Sequence, residues 1–183
     1  MNGIELLLTR QSTANLTTPA PDSNALDTIL KAGMKVPDHG ALTPWHFTLV
    51  SGDGLAKLSH IYTQAAKINN ANEAKVAKVS KMPFRAPLIV VISSKLTTHE
   101  KVPAQEQMIT AGCCVHAMQM AAFALGYGAM WRTGEFAYDA YVKNQLNIKE
   151  QDQIVGFLYL GTPVKQLAKK QSKNYNSFVS YLT

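Results

Sequence analysis

Hydrolytic chemistry has no foothold in this sequence. There is no G-x-S-x-G, no H-E-x-x-H and no C-x-x-C, so no nucleophile elbow, zinc dyad or dithiol is marked out. A P-loop and a G-x-G-x-x-G turn are missing too, and Gly126-x-Gly128 reads first as a helix stop. Histidines do not fall at metal-ligand spacing. His39 and His46 are seven apart on a loop and a strand, and His60 and His99 stand alone, so no metal site is expected.

Cysteine is scarce. Cys113 and Cys114 are adjacent in a helix-like apolar run, where neighbouring side chains diverge too far for a disulfide. They read as two small buried residues, and nothing points to an oxidising compartment. The opening MNGIELLLTRQST has no basic region before its apolar stretch and no small-residue cleavage site. No signal peptide is expected, and the location expected is cytoplasmic. One long apolar run exists, MITAGCCVHAMQMAAFAL at 108–125. Its Thr110, His116 and Gln119 argue for a core or interface helix rather than a membrane span. Aromatics are nearly absent from the basic stretch 67–85, where Phe84 is alone. Without stacking residues, Lys75, Lys78 and Lys81 read as a solvated helix face, not a nucleic-acid platform.

What is present is a chain of 183 residues, 46% hydrophobic and 16% charged, with a net charge of +6. That composition is globular, and the length fits one domain over 1–183. The positive excess suits nucleic acid, anionic lipid or a phosphorylated small molecule. A short helix is expected at 3–9. A second, over 24–33, is capped by Asp22 or Ser23, carries Leu26, Ile29 and Leu30 on one stripe, and is ended by Gly33. Strands are expected at 45–51, 87–94 and 154–161, and further helices at 55–66, 104–126 and 138–146. The tail 164–183 is basic early and aromatic late, through Tyr175, Phe178 and Tyr181, which suggests docking. The fold class is α and β mixed, with strands far apart in sequence.

Three clusters pair a cation with hydrogen-bonding groups. Arg10-Gln11-Ser12-Thr13 stands at a helix end, where free backbone N–H groups add to an anion site, although an ordinary helix terminus looks the same. The stretch MKVPDHGALTPWHFTLV at 34–50 holds Lys35 and His39 on a loop stiffened by Pro37 and Pro44. Trp131-Arg132-Thr133-Gly134 follows a Gly-rich exit from the long helix. No side chain is set up as nucleophile or base. The pattern suits a phosphorylated cofactor that carries the chemistry itself.

Several motifs occur in order along nearly the whole chain: R-Q-S-T, V-P-D-H-G-A-L-T-P-W-H-F, A-P-L-I-V-V-I, A-G-C-C-V-H-A-M-Q-M-A-A, G-Y-G-A-M-W-R-T-G and I-V-G-F-L-Y-L-G-T-P. Together they resemble the FMN-dependent nitroreductase family, in its short bacterial branch. The resemblance implies an α+β fold with a mostly antiparallel central sheet flanked by helices. It also implies an intertwined homodimer with FMN at the interface, and ping-pong transfer of hydride from NADH or NADPH to a nitroaromatic, quinone or other small acceptor. By motif, Arg10 and Ser12 would hold the FMN phosphate with Gln11 alongside. Lys35 would lie near the flavin, His39 would reach the flavin of the other subunit, and Trp131, Arg132 and Thr133 would also contact the cofactor. No catalytic side chain, metal, nucleic acid or membrane partner is implied. The chain departs from the usual R-R-S-x-R at Gln11 and Ala14, and from Asn and Gln before Pro-Trp at Ala41 and Thr43. A flavin-storage protein with little turnover, and a basic nucleic-acid module, are the competing readings.

Overall fold

The computed structural model describes residues 1–165, 167, 168, 170 and 174–183. Its elements run α1 (Gly3–Thr9), β1 (Leu16–Thr17), α2 (Ser23–Gly33), β2 (Trp45–Ser51), α3 (Asp53–Ile68), α4 (Glu73–Ser80), β3 (Leu88–Ser94), α5 (Ala104–Ala124), β4 (Gly128–Arg132), α6 (Ala140–Gln145) and β5 (Ile154–Pro163). Every strand pairing is antiparallel. β5 is the hub, pairing with β3, with β4 and, at its far end, with β1, while β2 lies outside β3. This is the α+β sheet expected.

Alternation along the strands explains the layers, because successive side chains point to opposite faces. Ile89 and Val91 of β3, with Phe157 and Tyr159 of β5, join Leu58, Tyr62 and Ala65 of α3 in one core. Leu88, Val90 and Ile92, with Leu158 and Leu160, join Ile29 of α2 and Val115 and Met118 of α5 in another. A sheet covered on both faces needs apolar residues at every position, which is why β3 reads as a continuous apolar run.

Helix ends follow local chemistry. Asp22, Asn72 and Asp139 each accept a backbone N–H of the turn they cap. Gly126, at φ +86°, ends α5 in the left-handed conformation that glycine tolerates. Gly33 acts differently from expectation. It lies in helical backbone packed on α5, and a Cβ there would run into the Met118 side chain. Close approach of two helices, rather than a C-cap, explains it.

Two strands went unforeseen. β1 has two residues, and β4 (GAMWR) lacks the β-branched run that marks β2, β3 and β5. Helix bounds moved by a residue or two. Among the described residues no helix is long and apolar enough to cross a membrane, and the two buried glutamines of α5 have partners. Gln107 bonds Thr97 and Val102, and Gln119 bonds Ser12 and Ala129.

The chain exposes 11318 Å², whereas a compact monomer of its 20.0 kDa exposes about 8,700 Å². Part of the excess is apolar. Ile4, Leu7 and Leu8 of α1 are 61–71% exposed and Ile109 of α5 is 59% exposed. Tyr175, Phe178 and Tyr181 of the tail are also exposed. Gln166, Lys169 and 171–173, where part of the basic tail falls, lie outside the described residues.

Candidate functional site

The segment after α1 runs along the outer edge of β4. Thr13 N donates to Ala129 O at 2.9 Å. Gln119 of α5 donates to both Ser12 Oγ, at 3.2 Å, and Ala129 O, at 3.3 Å. That buried amide fastens helix, strand and loop together. Arg10 Nη1 lies 3.5 Å from Ser12 Oγ, and Gln11 Nε2 donates to Ala168 O at 2.9 Å. The first and third sequence clusters therefore meet at one edge of the sheet.

Two adjoining cavities open along that edge and share Ala14 and Asn15. One, of about 460 Å³, is lined by Ser12, Lys165 and Lys170; the other, of about 580 Å³, by Leu16, Arg85, Arg132 and Val164. The chain has three arginines, Arg10, Arg85 and Arg132. Among the described residues none pairs with a carboxylate; the carboxylates in contact with a basic side chain are Asp27 with Lys31, Glu135 with Lys75 and Glu106 with the His39 ring. Arg132 carries its guanidinium 5.6 Å above the Tyr159 ring. Its Nε is buried without a hydrogen-bond partner, as is Gln11 Oε1. Burial raises the Tyr159 phenol pKa, and the charges of Arg132 and Arg85 pull it the other way.

A buried guanidinium N–H left without an acceptor costs free energy until something accepts it. Unpaired arginines, a hydroxyl and lysines around open cavities make a donor set that fits a phosphorylated ligand. FMN passes that test on its phosphate side.

Trp131 faces inward. Its indole N–H donates to Val155 O at 3.2 Å, and its ring packs by Gly112 of α5. At Gly156 a Cβ would collide with that ring, so glycine there makes the indole's slot. Thr133 is exposed just past β4. The next turn, Glu135–Ala137, is pinned by Phe136, stacked on Tyr62 with ring centroids 4.1 Å apart.

His39 lies elsewhere. The loop from Met34 to Trp45 is heavily braced. Asp38 Oδ2 accepts Thr43 N–H at 2.7 Å, and Trp45 Nε1 donates to Met34 Sδ at 3.1 Å. The bracing holds Ala41 and Thr43 at φ +52° and +47°, costly conformations for residues with a Cβ. At its tip, His39 Nδ1 sits 2.9 Å from Glu106 Oε2, in the first turn of α5. Ser12 is tied to Gln119, thirteen residues further along that helix. At 1.5 Å per residue the two anchor points are about 20 Å apart and about 140° around the axis. One chain does not bring His39 to Arg10 and Ser12.

Arg85, Lys165, Lys170, Glu106 and Gln119 were not foreseen as site residues. Arg85 left one signal, as one of only three arginines. Lys165 and Lys170 left another, in the basic start of the tail.

Comparison with known proteins agrees with the fold. Residues 7–162 match the model of the Nitroreductase family. The chain is 43% identical over 184 residues to the Escherichia coli (strain K12) protein named "Putative NAD(P)H nitroreductase YdjA", covering 99% of this chain and 100% of that one. Its fold matches the nitroreductase-like family protein from Bacillus cereus with a TM-score of 0.86 at 19% identity, over 100% of this chain and 96% of the other. It also matches a nitroreductase with bound FMN from Bacteroides fragilis, with a TM-score of 0.75 at 20% identity and 100% of both chains covered. The class is that of the nitroreductase-type oxidoreductases. The chain belongs to the nitroreductase family, and it is an enzyme.

Proposed function

We propose that this protein is an FMN-dependent NAD(P)H oxidoreductase whose two identical sites are each built from two chains. The observation that carries the reading is the edge of β4, where unpaired arginines and a buried Arg132 Nε without an acceptor surround open cavities. The bound nitroreductase from Bacteroides fragilis supports FMN as the ligand, and the name of the E. coli relative supports NAD(P)H as the reductant.

In this reading Arg10 and Ser12 bind the phosphate, with Gln11 beside them and Arg132 supplying a further N–H. Trp131 stiffens the turn that carries Thr133 towards the cofactor. Lys35 and His39 come from the second chain. The separation along α5 supports that division for His39, and Lys35 is assigned with it by the family motif; the excess surface and the apolar faces of α1 and α5 also suit a dimer. Bound flavin supplies the redox chemistry, carrying two electrons from NADH or NADPH to a small acceptor such as a nitroaromatic or quinone. The chain's own residues hold, orient and enclose it. A reduced, cytoplasmic setting suits the two free thiols.

Colour tests this first. Purified or FMN-reconstituted protein shows flavin absorption bands, and NAD(P)H bleaches them under anaerobic conditions. Protein that takes up no FMN contradicts the reading. A yellow protein that NAD(P)H leaves oxidised is a storage protein instead.

A further inference from the structure

Lys75, Lys78 and Lys81 of the basic stretch around α4 are exposed, as expected, but the face also borders a cavity. Lys75 reaches across to Glu135 with Nζ and Oε2 2.6 Å apart, tying α4 to the turn that follows Gly134. Between them lies a cavity of about 610 Å³, within the range of small-ligand sites. Its floor is apolar, from Met82 and the buried Val79 and Phe136. Its rim carries Lys78 and Arg85, neither with a carboxylate partner among the described residues. Glu135, the one acid in the lining, is already engaged by Lys75. Arg85 also lines the neighbouring cavity that holds Arg132, so the two cavities share a cation. Gly134, next to Thr133, forms part of the wall.

An apolar floor beneath two uncompensated cations selects for a flat ring that carries a negative charge. We propose that the pocket between α4 and the Gly134–Phe136 turn receives the anionic group of a substrate, held by Lys78 and Arg85. The inference rests on the oxidoreductase reading for the word substrate, and on the pocket alone for the anion. Two sources carry that chemistry: the phosphates of the nicotinamide dinucleotide, and an acidic substituent on an aromatic electron acceptor.

Paired probes separate them. Calorimetry on the FMN-reconstituted protein compares 4-nitrobenzoate with its neutral relative 4-nitrobenzamide, and 2′,5′-ADP with adenosine. The proposal expects the anionic member of at least one pair to bind more tightly. Lys78→Ala and Arg85→Ala each reduce that preference about fivefold, the effect of one partly solvated charge, and added salt weakens it. Preference within the nitrobenzoate pair assigns an acidic acceptor, and preference within the ADP pair assigns the dinucleotide. Lack of preference in both pairs, or a preference that ignores both substitutions, overturns the proposal. The exposed Lys78 guards against a folding artefact at Arg85. Repeating the titrations on flavin-free protein keeps the two readings apart: failure to take up FMN removes the cofactor assignment, while anion preference still reports on the pocket.

Discussion

His39 meets Glu106 across 2.9 Å at the first turn of α5, while the same helix holds Ser12 through Gln119 near its other end. One helix thus carries the two halves of a site at separate stations. In the proposed dimer, a second copy of the chain would supply what either station lacks.

If His39 completes the flavin site from the opposite chain, dimer and cofactor are thermodynamically linked. A ligand that binds only the dimer stabilises it by mass action. FMN is expected to raise the melting temperature and to shift sedimentation towards the dimer. His39→Ala is expected to weaken both effects with the fold intact, because Asp38, Trp45 and the two prolines hold the loop without it.

Charge at the phosphate is read by comparing ligands. A charge-assisted bond from arginine to phosphate contributes about 1.5–3 kcal/mol, so Arg10→Ala weakens FMN binding by roughly ten- to a hundred-fold. Riboflavin, which has no phosphate, loses much less. Fluorescence titration of both flavins makes the comparison, and equal losses place Arg10 away from the phosphate.

Gly156 tests the slot for Trp131. Adding a Cβ against the indole forces overpacking, and Gly156→Ala is expected to destabilise by about 1–3 kcal/mol in urea unfolding. Gly3→Ala, where a Cβ meets nothing within 4 Å, stays within about 0.5 kcal/mol.

Burial pushes the Cys114 thiol up to about 12, against about 8.5 in an unfolded chain. The folded state holds the proton that the unfolded state gives up. Stability from this group is therefore fully present below pH 8.5 and is lost as pH rises towards 12, by about 1.4 kcal/mol at pH 9.5. Cys114→Ala should flatten that part of the stability profile. Alkylation of native protein at pH 8 should leave Cys114 unmodified.

Much of this was legible in the chain. β2, β3 and β5 show themselves because strands sandwiched between helices must be rich in apolar and β-branched residues. The 34–50 loop stood out by its prolines, cation and histidines, and it is the loop that braces His39. β4 hid because GAMWR mixes glycine, methionine and tryptophan, and its identity comes from pairing with β5. The strain at Ala41 and Thr43 hid as well, since no glycine marks it and Asp38 imposes it through space. The role of Lys78 stayed invisible because its pocket is closed by Phe136, a residue 58 positions away that no periodicity connects to it.

The division of the site between two chains has the most direct test. Arg10→Ala and His39→Ala are placed on separate, differently tagged chains, and the mixed dimer is purified through both tags. Each homodimer carries two damaged sites. In the mixed dimer one site joins the intact Arg10 of one chain to the intact His39 of the other, and the second site collects both defects. Flavin titration is expected to find one FMN per mixed dimer bound with wild-type affinity. A mixed dimer with no wild-type site, binding no better than the two homodimers, would contradict the account.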